Sequence, residues 1–229
     1  MVVKLFVLGH PGSGKSSICQ YIVTYVNQQY KNWSAEHLSD YGILYEMYQA
    51  DTGHKRFHRA SRNSFIVQDH SVYNVALMEL EKKVGDKADT SNILGDKFIS
   101  IEFARDSYYE ALKQFSSEFI SGAYFLFLDV DIPTCIKRVR QRAVHPNSLD
   151  DHFVSREVFK SYRKKDSKAY ISTGLQRDYG ITDYQIRIFE NKGSFQEIAG
   201  KTEEFINFIL QKCVNLVSST SELNRQPES

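Results

Sequence analysis

A glycine-rich segment near the start of the chain, Gly9-His10-Pro11-Gly12-Ser13-Gly14-Lys15-Ser16, matches the pattern G-x-x-x-x-G-K-[ST]. Its glycines let the backbone curl around a phosphate without Cβ clashes, and the N–H groups of the loop present partial positive charge to it. Lys15 supplies a point charge for the β- and γ-phosphates, and the Ser16 hydroxyl an oxygen ligand for Mg²⁺. The expected nucleotide-binding residues are Gly9, Pro11, Gly12, Ser13, Gly14, Lys15, Ser16 and Ser17. The pattern therefore predicts a site for a nucleoside triphosphate, with ATP and Mg²⁺ on residues 9–17.

Two arginines with helical spacing, Arg138 and Arg142, form a second candidate for phosphate chemistry. Paired guanidinium groups can clamp phosphates and spread the negative charge of a transition state. The alternative is a solvated basic helix, because Lys137 and Arg140 are close by.

Two acidic residues follow apolar segments and compete for one role. Glu102 lies near the end of Ile99–Phe103, and Asp129 directly follows Phe125–Leu128. A carboxylate beside the phosphate loop can orient Mg²⁺ or accept the proton of an acceptor hydroxyl. The alternative for either acid is a helix cap or a solvated strand end, and Asp129 is well placed to cap the helix that carries the two arginines.

Short apolar runs alternate with amphipathic segments, and this alternation positions the candidates. Strands are predicted at 2–8, 65–68, 98–103, 124–128 and 185–189, and helices at 16–30, 72–84, 108–119, 132–143, 154–170 and 194–214. Such alternation favours a parallel sheet with right-handed crossovers, whose ligands bind beyond the carboxyl ends of the strands. The predicted strands end in polar residues, so the chemistry is expected at that edge.

Composition narrows the class of protein. The chain has 229 residues and a net charge of +1, from 29 Lys+Arg and 28 Asp+Glu, which argues against a dedicated nucleic-acid or membrane-surface binder. Its three cysteines, Cys19, Cys135 and Cys213, lie too far apart in sequence for a disulfide framework or a metal knuckle. No signal peptide and no apolar run of about 20 residues is visible, so a cytoplasmic protein without a membrane segment is expected.

Three features resemble P-loop kinases of the nucleoside monophosphate kinase and nucleoside kinase superfamily: the strand and glycine-rich loop at 2–16, the strand ending at Asp129 and the arginine pair behind Pro133. The resemblance implies a three-layer α/β P-loop NTPase fold. Its five-stranded parallel sheet has the order 2-3-1-4-5, with helices on both faces and a lid. Carried over, Glu102 is the catalytic acid and a Mg²⁺ ligand, with Asp129 as the alternative. Lys15, Arg138 and Arg142 complete the catalytic set, residues 144–155 form the lid, and Asn191 lies beside the nucleotide base.

The same resemblance directs the acceptor to residues 31–63. Arg56, Arg59 and Arg62 can hold an acceptor phosphate there, or belong to a basic surface loop. Asp69, which leaves the predicted second strand, can contact Mg²⁺ or an acceptor hydroxyl. Arg105 resembles the arginine of the Glu-Arg pair in deoxynucleoside kinases, with two residues inserted. We expect one kinase domain over 1–217 and a disordered tail over 218–229.

The expected function is transfer of the γ-phosphoryl group of ATP to a small-molecule acceptor, a nucleoside or nucleotide. A polynucleotide kinase is an alternative that the near-neutral charge disfavours. A GTPase switch needs D-x-x-G and N-K-x-D, but the first is missing and Asn191-Lys192-Gly193-Ser194 ends in serine. A non-kinase ATPase or assembly factor is the remaining alternative, although the Asp-Glu pair usual at its acidic strand is missing.

Overall fold

The structure is a computed structural model that describes residues 1–60, 65–89, 95–144, 154, 156–162 and 167–223. Its contacts divide the chain into two compact units, the first ending at Lys192 and the second beginning at Gly193. In chain order the first unit contains β1 (Val2–Gly9), α1 (Lys15–Gln29), β2 (Trp33–Ser39), α2 (Asp40–Ala50), β3 (Phe57–Arg59), β4 (Phe65–Val67), α3 (Ser71–Asp89), β5 (Asp96–Glu102), α4 (Tyr108–Leu112), α5 (Ser117–Ser121), β6 (Tyr124–Asp129), α6 (Ile132–Val144), α7 (Arg156–Tyr162), α8 (Ser167–Ala169), a π-helical segment (Tyr170–Gly174), α9 (Leu175–Tyr179), a 3₁₀ turn (Asp183–Gln185) and β7 (Ile186–Glu190). The second unit contains α10 (Phe195–Leu223).

The main sheet of the described residues has five parallel strands in the order β2-β5-β1-β6-β7. Numbered along the chain, these strands have the order 2-3-1-4-5, so the expected order is confirmed. The central strand β1 is flanked by β5 and β6, the two strands that end in the acids Glu102 and Asp129. The carboxyl ends of all five strands therefore lie at one edge of the sheet, and the glycine-rich loop, which follows β1, lies at the same edge.

The prediction that the strand at 65–68 belongs to this sheet is wrong. β4 pairs antiparallel with β3 in a separate two-stranded sheet. The second strand of the main sheet is β2, which pairs with β5 from Trp33 to Ser39. As an edge strand it is only partly buried, with Ala35 its one buried residue. Its sequence is polar and lacks the apolar run that predicts a buried strand.

Helix boundaries differ from the prediction at three places. The single helix predicted over 108–119 is two short helices, α4 and α5, because the Ser116 hydroxyl accepts the Phe119 N–H and starts a new helix. The basic helix predicted over 154–170 is seen as α7 and α8, with residues 163–166 outside the described part. α10 runs to Leu223, past the expected start of the tail at 218, and residues 224–229 lie outside the described part.

None of the helices in the described residues is long and apolar enough to cross a membrane.

Side chains of β1 alternate between the two faces of the sheet and build a core on each. Phe6 and Leu8 belong to a cluster with α3, α4 and α5, while α1 contacts β1, β2 and β5. Phe6 is fully buried, stacked on Phe125 at 5.1 Å between ring centroids and edge-on to Phe115 at 5.4 Å. The strand that leads into the glycine-rich loop is therefore anchored in the centre of the core.

Replacing Phe6 by alanine is expected to lower the free energy of unfolding by about 3–5 kcal/mol, because it removes buried aromatic area and leaves a cavity. Urea denaturation measures this. Met78→Ala is the matched control, since Met78 is 58% exposed and the change should stay within about 0.5 kcal/mol. Equal losses in the two variants would contradict the central position of Phe6.

Candidate nucleotide-binding site

The turn between β1 and α1 depends on glycine. Gly12 has φ 83° and Gly14 has φ 98°, in the left-handed region that L side chains rarely adopt. A Cβ on Gly12 would lie 2.6 Å from the Cys135 carbonyl oxygen, and one on Gly14 would lie 2.7 Å from Asn191 Nδ2. The loop therefore needs glycine for its conformation and also for its close approach to α6 and to the end of β7.

Lys15 begins α1 and is buried, at 5% exposed. Its Nζ donates to the His10 carbonyl oxygen at 3.1 Å and lies 3.9 Å from Glu102 Oε1. Burial lowers the pKa of Lys15, the charge of Arg142 lowers it further, and Glu102 opposes both. Burial and the neighbouring guanidinium thus disfavour the charged ammonium, and an anion such as a phosphate bound in the loop would stabilise it.

Glu102 lies beside the loop, as expected. Strand register sets it opposite Val7 of β1 and Ser39 of β2. Ser16 Oγ donates to Glu102 Oε1 at 2.9 Å, and His37 Nε2 lies 3.0 Å from Glu102 Oε2. Burial raises the pKa of Glu102, but His37, Lys15 and Ser16 together outweigh burial and hold it below its ordinary value.

The expected Mg²⁺ fits this arrangement. Hard divalent cations prefer oxygen ligands, and the Ser16 hydroxyl and the ionised Glu102 carboxylate are in direct contact at the start of α1. Both oxygens belong to the edge of the sheet where the phosphate loop lies. Ser16 and Glu102 are thus the residues that would hold Mg²⁺ with a nucleotide.

Asp129 lies on the other side of β1 and has other partners. Its carboxylate forms an ion pair of 2.6 Å with Lys168. The helix cap expected of Asp129 belongs instead to Asp131, which accepts the Thr134 N–H at 2.8 Å and the Thr134 hydroxyl at 2.9 Å. That expectation was wrong because α6 begins at Ile132, so the residue directly before it provides the cap.

The arginine pair divides between two surroundings. Arg142 is close enough to Lys15 for its charge to lower the pKa of that lysine, as a cause secondary to burial. Arg138 Nη2 donates to the Asn191 carbonyl oxygen at 3.0 Å. The buried Asn191 side chain donates in turn to the Ser13 carbonyl oxygen at 2.8 Å. Asn191, expected beside the base, thus holds the backbone of the phosphate loop.

The residues predicted for the acceptor are spread over two regions. Arg105 is largely buried, 2.6 Å from Asp40 Oδ2 and over the ring of Tyr73 at 4.6 Å. Asp69 is exposed, and its carboxylate accepts the Ser71 N–H at 3.0 Å at the start of α3.

The basic residues of the acceptor prediction belong to the small sheet. Arg59 is an exposed residue of β3, and Arg56 precedes that strand. Arg62 and nearly all of the predicted lid, 144–155, lie outside the described residues.

Three residues of the site, Asp40, Tyr108 and the His37 that faces Glu102, were missed in the sequence. Asp40 directly follows β2, is buried, and has a pKa that burial raises although Arg105 opposes the shift. An acid after a strand is the usual signal, but the strand itself was not recognised.

The sequence pattern predicts Tyr108 as a core residue of a helix face, but its hydroxyl also contacts the loop. Its hydroxyl accepts the Gly9 N–H at 2.8 Å and donates to the Gly9 carbonyl oxygen at 3.0 Å. Burial raises the pKa of Tyr108 far above its ordinary value, so the hydroxyl keeps its proton and remains a donor.

Solved structures share this fold. Chaetomium thermophilum Kti12 in complex with ADP-AlF3 is 12% identical, with 91% of this chain and 97% of that chain covered, at a TM-score of 0.55. Acinetobacter baumannii shikimate kinase with shikimate is 11% identical, with 93% of this chain and 95% of that chain covered, at a TM-score of 0.51. Mycobacterium tuberculosis APS kinase with AMPPNP and APS is 16% identical, with 90% of this chain and 97% of that chain covered, at a TM-score of 0.50. No protein-family model and no curated protein sequence matches the chain. At these identities the comparisons establish the fold, and the chain has the α/β fold of the P-loop kinases.

Replacing Tyr108 by phenylalanine is expected to lower the free energy of unfolding by about 1–3 kcal/mol, because the buried Gly9 N–H loses its acceptor. Urea denaturation measures the loss. Tyr109→Phe, one residue on, is the control: Tyr109 is 40% exposed, and the change should stay within about 0.5 kcal/mol. If Tyr108→Phe is as stable as the control, the hydroxyl does not hold the loop.

Proposed function

We propose that this chain is an ATP-dependent phosphotransferase that moves the γ-phosphoryl group to a hydroxyl of a small-molecule acceptor, with nucleosides and nucleotides as the first class to test. The observation that carries the proposal is the hydrogen bond between Ser16 and Glu102, which lies beside Lys15 at the end of the glycine-rich loop. Phosphoryl transfer depends mainly on positioning and on charge stabilisation, and these groups supply both. The fold shared with shikimate kinase and APS kinase supports the same class of reaction.

The loop would bind the β- and γ-phosphates through its backbone N–H groups and Lys15. Mg²⁺, when bound by Ser16 and Glu102 with the nucleotide, would neutralise charge on the phosphates. A carboxylate with a lowered pKa is a poor base but a good metal ligand. The lowered pKa of Glu102 therefore favours a positioning role toward Mg²⁺ over proton abstraction.

The acceptor would lie between Glu102 and the buried pair of Asp40 and Arg105. Glu102 ends β5, and Asp40 directly follows Ser39, the residue of the neighbouring strand β2 that is paired with Glu102. Arg105 offers donors for an anionic or hydroxylated acceptor, and Asp40 offers a carboxylate with a raised pKa. Burial raises the pKa of Asp40, whereas the partners of Glu102 outweigh burial and lower its pKa. Opposite shifts of this kind are typical of two carboxylates that have different roles in one site.

The lid expected at 144–155 and the arginines of α6 would complete the site. Arg142 would join Lys15 at the phosphates, and closure would exclude water, which otherwise competes for the γ-phosphoryl group. Arg138 would act through Asn191 on the loop backbone.

The proposal is tested by incubating the purified chain with Mg²⁺, γ-labelled ATP and a panel of acceptors. The panel contains nucleosides, nucleotides, hydroxylated carboxylic acids and short oligonucleotides. Transfer of label to one small-molecule class is the expected result, and Lys15→Ala should abolish it without unfolding the chain. Transfer to oligonucleotides alone would indicate a polynucleotide kinase. Hydrolysis to free phosphate with every acceptor would indicate a non-kinase ATPase, and either of these results would overturn the proposal.

Glu102→Gln is expected to cut single-turnover phosphoryl transfer at least about a hundredfold with ATP affinity little changed, because the charge that positions Mg²⁺ and the acceptor is removed. Asp129→Asn is the matched control. Its carboxylate faces Lys168 at 2.6 Å, so transfer should stay within about twofold of the wild type. A larger loss of transfer in Asp129→Asn than in Glu102→Gln would show that Asp129 is the catalytic acid.

A further inference from the structure

Three metal-ligating side chains from three elements converge behind the phosphate loop. Cys19 lies one turn after Ser16 on α1, His37 lies on β2, and Glu102 ends β5. The Cys19 sulfur, a ring nitrogen of His37 and a carboxylate oxygen of Glu102 all lie within 4.8 Å of one another. The spacing of the cysteines in sequence gave no sign of this cluster, because its members come together only through the sheet.

The burial of the cluster suits a bound ion. Cys19 is fully buried, and the His37 and Glu102 side chains are 17% and 10% exposed. His37 Nε2 and Glu102 Oε2 face each other at 3.0 Å. Apart from this approach, neither atom has a hydrogen-bond partner among the described residues. Both ligand atoms are therefore available to an ion that comes between them and the sulfur.

The sulfur, nitrogen and oxygen ligands of this cluster favour Zn²⁺ over Mg²⁺. Mg²⁺ takes oxygen ligands and does not favour sulfur or imidazole, whereas Zn²⁺ takes Cys, His and carboxylate ligands in tetrahedral sites. With bonds of about 2.0–2.3 Å, tetrahedral ligands lie about 3.3–3.6 Å apart. Because the three atoms lie within 4.8 Å of one another, no pair needs to close by more than about 1.5 Å to reach that spacing. A His–Glu ion pair alone would account for two of the three groups, and the sulfur adds the third ligand.

We propose that Cys19, His37 and Glu102 form a binding site for Zn²⁺, with water as the fourth ligand. The thiolate and the carboxylate would balance the two charges of the ion, and binding would release the thiol proton to solvent. Zn²⁺ here would engage the carboxylate that contacts Ser16. It would therefore oppose Mg²⁺-nucleotide binding, a consequence that rests on the proposed function, whereas the site itself does not.

The site is tested on the full, nucleotide-free chain with Zn²⁺ or Co²⁺ as the probe. Calorimetric titration with Zn²⁺ should give one tight equivalent per chain, and Co²⁺ should give the near-ultraviolet charge-transfer band of a thiolate–cobalt bond. Cys19→Ser should abolish the band and weaken Zn²⁺ binding at least about tenfold. His37→Asn should weaken Zn²⁺ binding to a similar degree.

Cys213→Ser is the control, because Cys213 is also a buried cysteine and is not a member of the cluster. Its Co²⁺ band and Zn²⁺ affinity should equal those of the wild type. Absence of a tight equivalent, or a band that survives in Cys19→Ser, would overturn the proposal. If Cys19→Ser fails to fold, His37→Asn decides, since His37 is a partly exposed residue of an edge strand. A chain that binds Zn²⁺ but transfers no phosphate would refute the proposed function and leave the metal site standing.

Discussion

The curvature of the glycine-rich loop is the constraint on which the site depends. A phosphate-binding loop must turn its N–H groups inward, and this chain supports that shape from three directions. Tyr108 binds both backbone groups of Gly9, Asn191 binds the Ser13 carbonyl oxygen, and the Cys135 backbone lies against Gly12. Because these contacts come from α4, α6 and the end of β7, the loop is shaped by the packing around it as much as by its glycines.

The second constraint is the balance of buried charge. Lys15, Glu102, Asp40 and Arg105 lie close together at the carboxyl edge of the sheet, where an unpaired charge is costly. Ion pairs of alternating sign reduce that cost. The outcome differs between the two acids: burial is outweighed at Glu102, whose pKa is lowered, and prevails at Asp40, whose pKa is raised. Two carboxylates at the ends of neighbouring strands, one in the last residue of β5 and one directly after β2, thereby differ in their affinity for protons.

The sequence was most informative where the signal is local. The glycine pattern, the buried runs of β1, β5 and β6 and the exit of Glu102 beside the loop were all predictable, because each depends on adjacent residues. β2 was missed because an edge strand alternates polar residues with few buried ones. The roles of Tyr108 and His37 were missed for another reason: their partners are far away in sequence, as with Tyr108 and Gly9, 99 residues apart. Such contacts exist only once the strand order is set.

The contact of Asn191 with the loop also links two distant positions in the sequence. The Asn191 amide nitrogen lies 2.7 Å from where a Cβ on Gly14 would be, and it holds the carbonyl of the preceding serine. A side chain at 14 would displace the amide, and a larger residue at 191 would press on the bare Cα of Gly14. Position 14 is also held to glycine by its φ of 98°. The constraint therefore falls on position 191, which can change only to a residue that leaves the space beside the Gly14 Cα free.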